Sequence, residues 1–93
     1  MIRSFRCKKT AALFLDGKVV PAFRAFREQA ARKLFMLDNV SVLEDLRVPP
    51  GNRLEALKGD RKGQYSIRIN DQYRICFRWT AEGPEDVEIV DYH

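Results

Sequence analysis

The chain has 93 residues, 45% of them hydrophobic and 32% charged, with 17 Lys and Arg against 13 Asp and Glu. Such a length supports one domain with one modest core, and such a composition belongs to globular rather than disordered chains. The longest apolar runs, such as LFML at 34–37, fall far short of the roughly 20 residues of a membrane span, and the basic opening MIRSFRCKKT has no apolar stretch behind it that would make a secretory signal.

In chain order, IRSF at 2–5 alternates apolar and polar residues and predicts a short first strand. Lys8 to Asp16 suits a helix, with Gly17 where a C-terminal cap would fall. The clearest helix follows. Pro21 is acceptable in its first turn, and Phe23, Phe26, Ala30, Leu34 and Leu37 recur at spacings of three and four, so they share one face. Arg24, Arg27, Glu28, Arg32 and Lys33 fall away from that face. They make either a solvated surface or an electrostatic footprint on a polyanion. NVSVLEDLRVPPGNR breaks the helical period, and Pro49-Pro50-Gly51 predicts a loop holding at most a short turn of helix.

The second half reads as strands. RLEAL at 53–57 is a short alternating run, stopped by KGDRKG. Tyr65, Ile67 and Ile69 point one way and Gln64, Ser66 and Arg68 the other. NDQ at 70–72 signals a tight turn. Tyr73, Ile75, Phe77 and Trp79 then alternate with Arg74, Cys76, Arg78 and Thr80. EGPED at 82–86 predicts another turn, and Val87 and Ile89 carry a final strand. Strands joined by short turns imply an antiparallel meander with one apolar face for the helices and one arginine-bearing face. The expected fold class is therefore α+β, an N-terminal strand and two helices packed on a small antiparallel sheet, as a single domain over 1–93.

The candidate chemistry is limited. The glycines of KGDRKG are too close together for a P-loop or a dinucleotide fingerprint. Cys7 and Cys76 lack metal-ligand spacing and, with a single histidine, exclude a structural zinc site; two reduced thiols in a cytoplasmic protein are expected, with no metal and no cofactor. What remains is Lys58 at a strand end, the sheet arginines, and Asp91, Tyr92 and His93 in the closing VEIVDYH. These types suit metal-free RNA cleavage, in which the RNA's own 2′-hydroxyl is the nucleophile. Such a site must move two protons and stabilise a crowded dianionic phosphorane. An imidazole suits either proton transfer, and Lys and Arg supply charge to the phosphate.

LEALKGDRKGQYSIRINDQYRICFRW, the closing VEIVDYH, and the MIRSF and PPGNRLEALKGDR segments together resemble a HigB-type toxin of the RelE/ParE superfamily of toxin–antitoxin modules. The resemblance spans essentially the whole chain. It implies a microbial RNase-like fold and an mRNA endonuclease that enters the ribosomal A site of the small subunit and cuts the codon there, arresting translation. It also implies a HigA-type helix-turn-helix antitoxin, through which alone the toxin would meet operator DNA, and no membrane partner. By the same resemblance Lys58 is similar to the family's catalytic lysine, Asp91, Tyr92 and His93 occupy its closing acidic, aromatic and histidine positions, and Arg74 matches the sheet arginine facing the scissile phosphate. His93 and Tyr92 are then assigned to proton transfer, Asp91 to shaping their acid–base behaviour, and Lys58 and Arg74 to phosphorane charge. Arg61, Arg68 and Arg78 are candidates for RNA contact, and Arg24, Arg27, Arg32 and Lys33 for docking on ribosomal RNA. In one departure, this chain has Glu55 where related sequences can carry a histidine shortly before the lysine.

Two rival readings differ in class. One is a ParE-like toxin that inhibits DNA gyrase by binding, which has no need of Lys58 or of the Asp91-Tyr92-His93 run. The other is a nucleic-acid-binding module without catalysis, which the scarcity of exposed aromatic platforms makes less persuasive.

Overall fold

A computed structural model of the chain describes residues 1–91. The proposed Tyr92 and His93 positions lie outside the described residues.

Four strands form one antiparallel meander: β1 (Glu55–Ala56), β2 (Tyr65–Arg68), β3 (Tyr73–Thr80) and β4 (Gly83–Asp91), in the spatial order β1-β2-β3-β4. The β2–β3 turn forms where NDQ predicts it. Asn70 Oδ1 accepts the backbone N–H groups of Gln72 and Tyr73, both at 2.8 Å, so one side chain satisfies two turn donors. The β3–β4 turn is tighter than EGPED suggests. Thr80 pairs with Gly83, so only Ala81 and Glu82 lie between the strands, and Thr80 Oγ1 donates to the Gly83 carbonyl at 2.7 Å. Pro84 therefore lies inside β4, a border strand where a missing donor is tolerated. The remaining turn-like residues act as a bulge. Asp86 takes φ +53, and the register slips between Cys76↔Glu88 and Arg78↔Glu85.

Before the sheet come α1 (Lys8–Ala11), which runs on into a π-type turn over Ala12–Asp16, and α2 (Arg27–Asn39), entered through a 3₁₀ segment at Pro21–Phe26. Gly17 ends the first of these at φ +67, the left-handed cap position anticipated for it. The apolar stripe behaves as its spacing requires. Phe23, Phe26, Ala30, Leu34 and Leu37 are all buried, against Ile67, Ile75, Phe77, Val87 and Ile89 of the sheet. Phe26 stacks on Tyr73 with ring centroids 4.3 Å apart, and Phe23 meets the same ring edge-on at 6.4 Å. The loop after α2 holds two 3₁₀ turns, Leu43–Arg47 and Pro50–Asn52. Buried Asn52 anchors it by donating to the Leu46 carbonyl at 3.1 Å and accepting from Lys33 Nζ on α2.

The N-terminal segment makes a single parallel bridge, Phe5 to Val87, instead of the expected strand over 2–5. It nevertheless covers the outer border of β4. Arg3 N–H donates to Pro84 O at 2.7 Å, Val87 N–H to Ser4 O at 3.1 Å, and Arg6 N–H to Val87 O at 3.0 Å. Further along the same border no backbone partner serves Ile89 N–H, and buried Thr10 of α1 accepts it through Oγ1 at 3.0 Å. Gly83 is required for the approach at the other end: a Cβ there would stand 2.2 Å from the Met1 carbonyl oxygen.

Thr10→Val keeps the shape of the side chain and removes the acceptor, leaving Ile89 N–H buried and unpaired. We expect a loss of about 1–3 kcal/mol in denaturant unfolding, with faster hydrogen exchange at Ile89 ahead of the core amides.

Candidate active site

Because side chains alternate along each strand, the face of the sheet away from the helices receives Glu55 from β1, Ser66 and Arg68 from β2, Arg74, Cys76 and Arg78 from β3, and Glu88 and Val90 from β4. The pairings arrange these in rows. Glu55, Ser66, Cys76 and Glu88 make one; Arg68, Arg74 and Val90 make the next. The centre of this face is closed: Ser66 and Cys76 are fully buried beneath the charged groups. Arg74 Nε donates to Ser66 Oγ at 2.8 Å and its Nη2 to the Arg53 carbonyl at 2.6 Å. Arg61 reaches across from the loop after β1, donating to Glu88 Oε1 at 2.8 Å and to Gln64 Oε1 at 3.1 Å. Burial pushes the Cys76 thiol up from its ordinary range, the nearby Arg61 guanidinium only partly opposing this, so the group stays a neutral thiol at physiological pH.

The residues singled out in the sequence divide among several places. Asp91 pairs with Tyr73, one residue beyond the Arg74–Val90 pair, and its Oδ2 accepts from Gln72 Nε2 at 3.0 Å. Asp91 and Arg74 therefore share one end of the sheet. Lys58 lies past the other end of the β1–β2 ladder: the Leu57 N–H, just before it, donates to Gln64 O at 2.9 Å, beyond the Ala56–Tyr65 pair. Three residue steps separate the Tyr65 and Arg68 rows, so Lys58 stands about 10 Å or more along the strands from the Arg74 row. It lines a hollow of about 380 Å³ together with Glu55, Ala56 and Leu57. Arg74 lines a different one, of about 290 Å³, with Arg53, Arg68, Asn70 and Asp71. Arg68 is paired with Asp71. Arg78 is 3.7 Å from Asp86. Arg24 on the 3₁₀ entry segment and Arg27 and Arg32 on α2 are exposed, and Lys33 of α2 is half-buried. Burial lowers the Lys33 pKa below its ordinary value, helped by the charges of Arg32 and Arg68.

Arg53 is the residue that sequence reasoning missed. It follows the Pro50–Asn52 turn at φ +46, a left-handed conformation uncommon for a long side chain. In the sequence it reads only as the start of an alternating run. Its position beside Arg68 and Arg74 depends on the β1–β2 register, which no local pattern reveals.

A family model described as "RelE-like toxin of type II toxin-antitoxin system HigB" matches residues 3–93. The chain belongs to the HigB-like toxin family. It is 56% identical over 48 residues to "Toxin HigB-1" of Vibrio cholerae serotype O1, an alignment covering 52% of this chain and 50% of that protein. It is also 45% identical over 49 residues to an uncharacterized protein of Haemophilus influenzae, covering 53% and 48%. The chain thus matches about half the length of these curated relatives. In three dimensions it resembles a chain of the "YoeB-YefM complex from Staphylococcus aureus", with a TM-score of 0.57 at 18% identity over 100% of this chain and 98% of that one. At that identity the likeness shows the fold, a RelE-like α+β arrangement of helices on a four-stranded antiparallel sheet. HigB-like toxins are toxins of type II toxin–antitoxin systems, and this chain is one by family. No helix among the described residues is long and apolar enough to cross a membrane.

Two measurements check the electrostatics of this face. In a double-mutant cycle on Arg61→Ala and Glu88→Ala, the half-buried pair should show a coupling of about 1 kcal/mol, near the top of the range for surface pairs. An NMR titration should give Lys33 a midpoint below the other lysines. Its folded pKa lies under the unfolded value of 10.5, so its unfavourable contribution is fully present below the folded pKa. That contribution fades as pH rises from there toward the unfolded value, an alkaline window in which stability gains from this group.

Proposed function

We propose that the protein is an endoribonuclease that cuts mRNA in the A site of translating ribosomes, by attack of the RNA's own 2′-hydroxyl and without a metal ion. The observation that supports this reading best is the pairing of Asp91 with Tyr73 next to the Arg74–Val90 pair, so that the β4 backbone at Asp91 runs one position along from a sheet arginine, with the Asp91 side chain itself on the Tyr73 face. Membership of the HigB-like family and the RelE-like fold support it.

In this mechanism His93 and Tyr92 handle the two protons, one removed from the 2′-hydroxyl and one delivered to the departing 5′-oxygen. Asp91 shapes their acid–base behaviour. Arg74 offsets charge on the scissile phosphate through its guanidinium. Lys58 supplies a second cation from the far side of the face, where a bound RNA strand crossing the sheet would meet it. Glu55 stands at the head of the row that contains Ser66, close to the same path. The exposed arginines of α2 add long-range attraction for a polyanion.

A HigA-type helix-turn-helix antitoxin is the proposed partner, and operator DNA is reached through it. The family's assignment to type II toxin–antitoxin systems supports an antitoxin. The cytoplasm, where translating ribosomes are found, is the proposed location.

The deciding experiment expresses the wild-type protein and a His93→Ala variant and maps mRNA ends on translating ribosomes, with naked RNA as a second arm. The wild-type protein should produce new ends within A-site codons only when ribosomes are present, and the variant should cut roughly 100- to 10,000-fold more slowly, the usual contribution of a general acid or base. Growth arrest with intact mRNA and altered DNA supercoiling would instead establish the gyrase-inhibiting class.

A further inference from the structure

The hollow beside Arg74 has a chemistry of its own. Arg53 and Arg68 converge on it with Arg74, and Asn70 completes the wall. Among the described residues Asp71 is its one carboxylate, and it is engaged by Arg68. The Arg53 guanidinium has no carboxylate partner among the described residues. Asn70 uses Oδ1 on the turn backbone, so the group it has left to offer a ligand is the donor Nδ2. Lys33 stands close enough to Arg68 for the two charges to oppose each other. Among the described residues, Arg53, Arg68 and Arg74 line a cavity of about 290 Å³ with Asn70 and Asp71, a volume that accommodates a phosphate group with its ester oxygens.

We propose that Arg53, Arg68 and Asn70 form a phosphate subsite for the nucleotide next to the cleaved bond, with Arg74 as the boundary between this subsite and the scissile phosphate. The proposal rests on the endoribonuclease reading for the identity of the strand, and on the hollow itself for the phosphate. Arg74 is suited to the boundary because its Nε is turned to Ser66, in the Glu55 row, while its Nη2 holds the Arg53 carbonyl. That second bond also fixes the backbone from which the Arg53 side chain starts. The left-handed backbone of Arg53 is thus held in place at the rim of the hollow. A flanking phosphate changes little between ground state and transition state, so the subsite strengthens binding uniformly and acts on KM rather than kcat.

Two arms test this. In the first, a short single-stranded oligonucleotide with 2′-fluoro riboses, which cannot undergo self-attack, is titrated by fluorescence anisotropy over a range of salt. Arg53→Gln and Arg68→Gln should each weaken binding roughly 10-fold and lower the log K against log salt slope by about 0.7. The charge-matched Lys9→Gln, at an exposed position of α1, should change neither. Wild-type affinity and slope in both arginine variants, or an equal loss in Lys9→Gln, overturns the subsite. In the second arm, cleavage on translating ribosomes should show KM raised and kcat within about 3-fold of wild type for Arg53→Gln. A fall in kcat at unchanged KM overturns the flanking position. Both arginine side chains are at the surface, and matched melting curves confirm that the variants are folded. If the wild-type protein binds the oligonucleotide with these arginine-dependent slopes but leaves mRNA intact, the endoribonuclease reading fails and the phosphate subsite stands.

Discussion

The strict two-residue alternation of β3 is the constraint on which the rest of the molecule depends. This strand lies between β2 and β4, so both of its borders are paired and its two faces are committed to different environments. Ile75 and Phe77 face the helices and are fully buried, while Arg74, Cys76 and Arg78 face away. A slip of one residue would drive three cationic or thiol side chains toward α2 and expose the core, which no partial repacking could offset. Core and cationic face are thus two results of one register. The Asn70 turn sets it at one end of β3, and the two-residue turn at Ala81–Glu82 sets it at the other.

A four-stranded sheet still has two open borders, and each is managed differently. β1 is only two residues long, too short to template another chain. The border of β4 is long and is covered by the N-terminal segment and by Thr10 of α1. This covering directs the last part of β4, because Ile89 is held two residues before Asp91. The bulge at Asp86 adds a local twist upstream of that point. The first helix of the chain therefore helps to hold the last described part of β4.

The net charge of +4 is a poor guide to where a polyanion would bind. Several cations are already used inside the protein. Arg61 ties the loop after β1 to Glu88 and Gln64, and Arg78 is close to Asp86. Those pairings hold the face together. Arg53, Arg68 and Arg74 meet instead at one hollow, with Asp71 the one carboxylate of its lining among the described residues, and the pKa of neighbouring Lys33 is lowered chiefly by burial, with smaller contributions from Arg32 and Arg68. Preorganised like charges are costly in the empty state and are relieved by an anion.

Local periodicity was enough for the α2 stripe from Phe23 to Leu37, the opposed faces of β2 and β3, the Asn70 turn and the Gly17 cap, because each depends on neighbours a few residues away. The family resemblance was likewise carried by contiguous residues. The same local cues misplaced the last turn, since Gly83 and Pro84 look alike to the sequence whether they sit in a loop or at the start of an edge strand. What only the tertiary structure decided is which distant groups meet. It joined Arg53 to Arg68 and Arg74, set Lys58 at the opposite end of the ladder from Arg74, and bound Arg61 to Glu88. Those relations depend on strand register and on the loop that Asn52 anchors to α2, and long-range pairing leaves no period in a single sequence.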